Sequence, residues 1–174
     1  MAPASRIPPV LVLGVDPGTA VTGFGVVQME GPQQLTLIEC GVVRTAATLP
    51  LATRLREIHE GISALLDRHR PAVVAVESIF YARNVRTTIT LGHARGVILL
   101  AAAQRGLAIA EFPPAEIKKA VAGTGQATKA QVQFMTARLL RLKHAPEPAD
   151  AADGVACAIT ACLTARPQRA ATTK

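Results

Sequence analysis

Four acidic residues occupy positions where folding would bring their carboxylates together. Asp16 and Glu77 each directly follow a short apolar run, and Asp150 and Asp153 lie three residues apart near the start of a helical pattern. Residues three apart share one face of a helix. If the two apolar runs are neighbouring strands, Asp16 and Glu77 leave the same end of the sheet. A helix that crosses that end would complete a cluster of four carboxylates.

Such a cluster has a defined chemistry. Converging carboxylates repel one another, and the pKa of each rises unless a cation neutralises them. Oxygen ligands without cysteine or histidine favour Mg²⁺ or Mn²⁺. Two such ions about 3.5–4 Å apart can activate a water and stabilise the leaving oxygen during phosphodiester cleavage. The four acids therefore predict a site for two Mg²⁺ ions, for which Mn²⁺ can substitute.

Some of these acids also have an interpretation without metal. Asp16-Pro17-Gly18 is good turn chemistry, and Asp150 could be a stabilising negative charge at a helix N-terminus. Taken singly, these explanations are the better ones. A strand-end Asp, a strand-end Glu and a helical Asp-x-x-Asp occurring together favour the metal site.

The elements that must position these acids can be read from apolar periodicity. Five strands are predicted, at Val10–Val15, Thr22–Met29, Leu35–Arg44, Ala72–Val76 and Leu107–Phe112. Five helices are predicted, at Leu51–His69, Val85–Gln104, Pro114–Val121, Lys129–Leu142 and Ala149–Thr164. The first three strands have short links, typical of an antiparallel meander. The order predicts an α/β fold with a mixed five-stranded sheet flanked by helices on both faces.

The length of 174 residues suits one domain. We expect residues 8–166 to form it, with flexible termini at 1–7 and 167–174. The three cysteines fit no zinc spacing and are typical of reduced thiols in a cytoplasmic protein. The longest uncharged apolar run is far shorter than the ~20 residues of a membrane span, so no membrane association is expected.

The formal net charge of +7 comes from the middle of the chain. Residues 78–145 carry ten Lys or Arg and only Glu111 and Glu116, a net of +8. A localised basic excess attracts polyanions and favours phosphate contacts. A basic face that only confers solubility is the alternative.

Two consecutive aromatics lie in this basic stretch. Phe80 and Tyr81 follow Glu77 out of the sheet, beside Arg83 and Arg86. Stacking on aromatic rings contributes about 1–3 kcal/mol per base and tolerates any base sequence. These residues are therefore predicted to bind DNA, although a hydrophobic plug for the next helix is an alternative.

Three lysines bracket a glycine-rich loop. Lys118 and Lys119 precede Gly123-Thr124-Gly125, and Lys129 follows it. Glycines leave the backbone free to approach a phosphate. The lysines are predicted to contact DNA, and a solvated basic face is the alternative.

An ordered set of segments resembles the RuvC family of bacterial Holliday junction resolvases. The segments are Leu13-Gly14-Val15-Asp16-Pro17-Gly18, Thr22-Gly23-Phe24-Gly25, Val76-Glu77-Ser78-Ile79-Phe80, Leu91-Gly92-His93-Ala94-Arg95-Gly96, Ile117-Lys118-Lys119 and Ala149-Asp150-Ala151-Ala152-Asp153. They cover roughly residues 10–165 in the family's order. Each segment is weak by itself, and the ordered set is specific.

The resemblance implies a ribonuclease H-like fold and a homodimer. It implies cleavage of two opposing strands of a four-way DNA junction with divalent metal, in recombination and repair, and a RuvA-RuvB branch-migration complex as partner. By motif position, Asp16, Glu77, Asp150 and Asp153 would be the catalytic metal-binding acids. Phe80 would stack on bases near the crossover, and Lys118 and Lys129 would contact DNA near the cut.

The chain departs from the family pattern in two places. Gly154 stands where the family more often has Ala, and we expect it to loosen the last helix slightly. Tyr81 adds a second aromatic beside Phe80.

We also expect a dimer interface on the Val85–Gln104 helix, because Gly92 and Gly96 lie four residues apart there and would permit close packing.

Two other functions compete with a junction endonuclease. A non-catalytic protein that binds branched DNA would explain the basic stretch but leaves the four acids without a purpose. An actin-like or sugar-kinase-like ATPase could use Asp16-Pro17-Gly18-Thr19 to bind phosphate. Such ATPases need two similar domains, for which this chain is too short.

Overall fold

The computed structural model describes residues 8–31, 34–78 and 84–164. The strands are β1 (Val10–Asp16), β2 (Val21–Gly31), β3 (Gln34–Arg44), β4 (Val73–Glu77) and β5 (Ala108–Phe112). The helices are α1 (Leu51–His69), α2 (Val85–Ala103), α3 (Pro114–Ala122), α4 (Lys129–Leu139) and α5 (Ala149–Thr164).

The five strands form one mixed sheet in the order β3-β2-β1-β4-β5. Pairing is antiparallel between β1 and β2 and between β2 and β3. It is parallel between β1 and β4 and between β4 and β5. The short links predicted for the first three strands produce the antiparallel meander. The helices α1 and α2 provide the crossovers that parallel pairing requires. The predicted mixed α/β fold is confirmed.

Side-chain alternation along the strands builds a separate core on each face of the sheet. Leu13 and Val15 of β1 pack with α1 and α2. Val12 of β1 and Ala75 of β4 lie on the other face, in a core with α3, α4 and α5. The same alternation places Asp16 and Glu77 on the face covered by α3, α4 and α5.

Helix α5 crosses β1 and β2 in very close contact. A Cβ at Gly14 would lie 2.2 Å from the carbonyl oxygen of Gly154 and 2.3 Å from the backbone nitrogen of Ala158. A Cβ at Gly23 would lie 1.8 Å from the carbonyl oxygen of Asp150. The strand glycines therefore set how closely α5 approaches the sheet.

Gly154 belongs to this contact, which gives it a packing role in addition to the expected loosening of the helix. A Cβ there would lie 2.6–2.8 Å from the backbone of Phe24. Real Cβ atoms essentially never approach backbone that closely. The conformational cost of glycine within a helix is therefore offset by an approach that alanine would prevent.

Helix α4 ends three residues earlier than predicted. Arg141 adopts a left-handed conformation with φ of 55°. Its backbone N–H donates to the carbonyl of Arg138, and the N–H of Leu142 donates to the carbonyl of Ala137. This is a Schellman cap, which usually has glycine at the left-handed position. An arginine at that position does not indicate a helix end in the sequence, so the helix predicted from the apolar pattern was too long.

Gly92 and Gly96 lie on an open surface of α2. Among the described residues, no atom would come within 4 Å of a Cβ at either position. Close packing on that face would therefore have to come from another molecule.

Cys157 and Cys162 are buried, Cys40 is half-buried, and all three are free thiols. None of the described helices is long and apolar enough to cross a membrane.

Candidate active site

The parallel pairing of β1 and β4 brings two of the predicted acids side by side. Val15 pairs with Val76 in this register, and Asp16 and Glu77 are the next residues on the two strands. Parallel strands end at the same edge, so both carboxylates leave the sheet together. The arrangement predicted from the two apolar runs is observed.

Helix α5 supplies the other two acids. Carboxylate oxygens of Asp16, Asp150 and Asp153 all lie within 4.8 Å of one another. A cavity of about 260 Å³ brings Glu77 together with Asp16 and Asp153. We call this the carboxylate cavity; its walls also include Pro114, Ile117, Lys118, Lys129, Val132 and Ala156. Asp16 and Asp153 are common to both groupings.

Burial and like charge act together on Asp16. Burial, and then the negative charges of Glu77, Asp153 and Asp150, together raise the pKa of its carboxyl to about 8. Lys129 opposes this effect. A carboxyl with such a pKa is largely protonated at neutral pH unless a cation replaces the proton. All three other acids act on Asp16, so the cluster is electrostatically one unit.

Glu77 is shifted in the same direction. Burial raises the pKa of its carboxyl, as does the charge of Asp153, while Lys129 and Lys118 lower it. The Lys129 ammonium lies 2.7 Å from Oδ2 of Asp153. This hydrogen bond raises the pKa of Lys129. Two lysines therefore supply positive charge to a site that holds four acids.

The donor set fits a hard divalent cation. Three carboxylates can reach one ion, and Glu77 lies in the same cavity. Oxygen donors of this kind are the ligands of Mg²⁺ and Mn²⁺. Bound cations would also relieve the repulsion that raises the pKa of Asp16 and Glu77.

The three predicted lysines have different positions. Lys118 is half-buried on α3 and lines the carboxylate cavity. Lys129 begins α4 and contacts Asp153. Lys119 is exposed and does not line this cavity. The structure therefore brings Lys118 and Lys129 to the acids and leaves Lys119 outside.

The remaining predicted DNA contacts are not part of the cavity. Arg86 is exposed in the first turn of α2 and is absent from the cavity lining. Its backbone N–H donates to Oδ1 of Asn84, which caps the helix. Phe80, Tyr81 and Arg83 lie outside the described residues.

A capping box that the sequence analysis did not include positions Lys129. The Thr128 hydroxyl accepts a hydrogen bond from the backbone N–H of Gln131, and the Gln131 side chain accepts one from the N–H of Thr128. This fixes the first turn of α4, where Lys129 lies. The signal was available, because Thr-x-x-Gln before an apolar pattern indicates such a cap.

The turn that follows Asp16 is held by a second group of hydrogen bonds. The Thr22 hydroxyl donates to the carbonyl of Gly18 at 2.6 Å. Nε of Arg54, on α1, donates to the carbonyl of Thr19 at 3.2 Å and to the Thr45 hydroxyl at 3.1 Å. The Arg54 contacts join segments that are separated in the chain, so they have no local sequence signal.

Comparison with known proteins identifies the family. The model of "Crossover junction endodeoxyribonuclease RuvC" matches residues 12–161. A protein of that name from Pelotomaculum thermopropionicum is 48% identical over 86% of this chain and 90% of its own. One from Leifsonia xyli is 51% identical over 85% of this chain and 71% of its own.

A solved structure has the same fold. T. thermophilus RuvC, in complex with a Holliday junction substrate, superposes with a TM-score of 0.84 at 36% identity. The match covers 88% of this chain and 93% of that one. Together with the carboxylates at the end of a mixed sheet, these similarities establish that the chain belongs to the RuvC family of crossover junction endodeoxyribonucleases.

Proposed function

We propose that this protein resolves four-way DNA junctions by cutting two opposing strands symmetrically, in recombination and repair. One observation carries the proposal: Asp16, Glu77, Asp150 and Asp153 converge beside Lys118 and Lys129 in a chain of this family. Acids that hold metal ions and lysines that neutralise phosphate charge can together support phosphodiester hydrolysis.

The four acids would hold two Mg²⁺ ions, for which Mn²⁺ can substitute. Two overlapping groupings support this number: Asp16 and Asp153 with Asp150 in one, and with Glu77 in the other. When bound, such ions supply an activated water and charge stabilisation for the leaving oxygen. The chain's own lysines would orient the phosphate, Lys118 from α3 and Lys129 from α4.

Residues outside the cavity would extend the DNA contact. Lys119 and Arg86 are exposed cations that could meet backbone phosphates away from the cut. Phe80 and Tyr81 remain predicted to supply the ring that stacks on bases at the crossover, and Arg83 remains a predicted DNA contact. For this role, Phe80→Ala should reduce cleavage more than junction binding, and equal losses of the two would assign Phe80 to packing.

A homodimer suits a substrate that is itself nearly two-fold symmetric. We place its interface on α2, where Val85 and Ile89 are 73% and 57% exposed beside Gly92 and Gly96. We also propose that residues 8–166 act as one nuclease domain, in the cytoplasm, with the RuvA-RuvB branch-migration complex as partner. The expected flexible termini lie outside the described residues.

The test is incubation with a synthetic four-way junction and a linear duplex of matched sequence, each with Mg²⁺, Mn²⁺ or chelator. We expect paired symmetric nicks in the junction alone, and only with metal. Asp16→Asn should abolish cleavage and retain junction binding, because the substitution removes a ligand without adding bulk. Binding without cleavage in either metal would contradict the proposal and favour a non-catalytic branched-DNA-binding protein.

A further inference from the structure

The outer face of α4 presents an aromatic ring that the carboxylate cavity does not use. Phe134 is 63% exposed, although large aromatic side chains are normally mostly buried. The Arg138 guanidinium lies 5.9 Å from the centre of its ring. The chain has only five aromatic residues, so an exposed ring paired with a cation calls for a binding explanation.

Two cavities meet at this ring. One, of about 410 Å³, is lined by Phe134 and by Ala122, Thr124, Ala130, Gln131 and Met135. The other, of about 380 Å³, is lined by Phe134 and by Ala130, Gln133, Ala137, Arg138, Leu142, Lys143, His144 and Ala145. Both volumes are in the range of small-ligand sites. Phe134 therefore separates a neutral cavity from a basic one.

The basic cavity has no balancing acid. None of its described lining residues is Asp or Glu, and across the described residues Arg138 and Lys143 form no ion pair. In the sequence, no acid occurs between Glu116 and Glu147. The charge of this surface is available to an anionic partner.

We propose that Phe134 is the stacking platform of an accessory site for single-stranded DNA, separate from the carboxylate cavity. An unpaired base would stack on the ring from the neutral cavity. The adjoining phosphate would lie in the basic cavity, against Arg138 and Lys143. An aromatic face beside a cationic groove is the combination by which proteins bind single strands without base preference.

The position of the site on α4 connects it to the active site. Arg138 lies nine residues after Lys129, which is about 13 Å along a helix that rises 1.5 Å per residue. Nine residues are about two and a half helical turns, so Arg138 lies on the face of α4 opposite Lys129. An unpaired strand that leaves the cut would have to pass around α4 to reach Phe134.

The ring can be tested through fluorescence, because the chain has no tryptophan. In Phe134→Trp, oligo(dT) in chelator should quench the emission, whereas a matched duplex should leave it nearly unchanged. Ile38→Trp is the control, since Ile38 is 45% exposed on the edge strand β3. Equal quenching in both variants, or no quenching in Phe134→Trp, would overturn the site.

Affinity variants separate stacking from simple apolar contact. Phe134→Ala and Phe134→Leu should each weaken oligo(dT) binding by about 5- to 100-fold, the range expected for one stacked base, and Phe134→Trp should retain it. The logarithm of the binding constant falls linearly with the logarithm of the salt concentration. Arg138→Gln should reduce the steepness of this slope by about 0.7, the value for one phosphate contact on a single strand. Full affinity in Phe134→Leu would overturn the stacking role.

Because oligo(dT) binding is measured in chelator, its result is independent of whether junction cleavage itself is confirmed. A further measurement distinguishes another occupant. Sedimentation of Phe134→Ala should show the wild-type oligomeric state. A loss of self-association would instead assign the surface to a second copy of the chain and overturn the proposal.

Discussion

At the scale of single residues, Asp16 is the acid on which the cluster acts most strongly. It lies in both carboxylate groupings, and the negative charges of the three other acids all raise its pKa. Burying an ionised carboxylate without a compensating cation is costly. The protein without metal therefore stores unfavourable energy at this position, which bound metal would release.

The raised pKa of Asp16 predicts that the stability of the metal-free protein, measured in chelator, depends on pH. The folded pKa of Asp16 is about 8 against an ordinary value of 3.8. The folded state therefore holds a proton that the unfolded state has lost between these pH values. The free energy of unfolding should then fall as pH rises from 4 to 8. Glu77, whose pKa is also raised, acts in the same direction.

Thermal unfolding checks this prediction. In chelator, the Tm of the wild type should decrease between pH 5 and pH 8, and the decrease should be much smaller in Asp16→Asn, which cannot ionise. Mg²⁺ at pH 8 should raise the Tm of the wild type more than that of the variant. Parallel Tm curves for the two proteins would contradict the buried charge at Asp16.

Lys118 and its neighbour Lys119 form a natural matched pair. Lys118 lines the carboxylate cavity and Lys119 does not. Lys118→Gln should reduce the cleavage rate by about 10- to 1,000-fold if it stabilises charge on the reacting phosphate. Lys119→Gln should change cleavage by only a few fold, mainly through weaker binding at higher salt. Similar losses of cleavage rate in both variants would assign the two lysines to general DNA attachment.

At the scale of elements, the carboxylate cluster depends on how α5 packs on the sheet. Gly14 and Gly23 allow the backbone of the helix to approach that of the strands. This approach brings Asp150 and Asp153 to the end of β1. The glycines thus act on the chemistry through packing, although none of them carries a functional group.

Gly14→Ala tests this dependence. Its Cβ would meet backbone atoms of α5 at 2.2–2.8 Å, and backbone cannot move aside as a flexible side chain can. We expect a loss of about 3 kcal/mol in the free energy of unfolding, measured by urea denaturation. Any folded fraction should bind metal more weakly, since α5 is displaced.

Gly31→Ala is the control for this substitution. Nothing described lies within 4 Å of a Cβ at Gly31, and its φ is not in the left-handed region. Its stability should stay within about 0.5 kcal/mol of the wild type. If Gly14→Ala were equally stable, the close helix–sheet contact would not determine the fold.

The element boundaries show which parts of the fold can be predicted from local sequence patterns. All five strands and five helices were predicted in the correct order, because apolar periodicity reports which face of each element is buried. The end of α4 was missed because Arg141 takes a backbone conformation that usually belongs to glycine. The purpose of Gly154 was missed because the contact it permits lies on β2, far away in sequence.

At the scale of the whole molecule, α2 has an apolar face that no described part of the chain covers. Val85, Ile89 and Leu100 are 73%, 57% and 51% exposed, and Gly92 and Gly96 lie on the same open surface. Exposed apolar patches commonly mark interfaces. A second copy would bury this face and place two carboxylate cavities in one particle.

If the proposed dimer forms through α2, Ile89→Asp should convert it into monomers, because a charge would be buried in the interface. Sedimentation velocity measures the change. Ile38→Asp is the matched control, since Ile38 is also an exposed isoleucine but lies on β3. The Ile89 variant should nick single strands without the paired cuts. A dimeric Ile89→Asp would move the interface elsewhere.

The sequence by itself indicated which residues are candidates for the chemistry, and it determined which element each one ends or begins. This was possible because strand and helix periods, turn residues and strand-end acids are local features. Only the tertiary structure decided that Asp16 and Asp153 are shared by both carboxylate groupings, that Lys118 faces the acids while Lys119 does not, and that Phe134 is exposed. These depend on strand register and on the distance of α5 from the sheet, which arise from contacts between residues far apart in the chain.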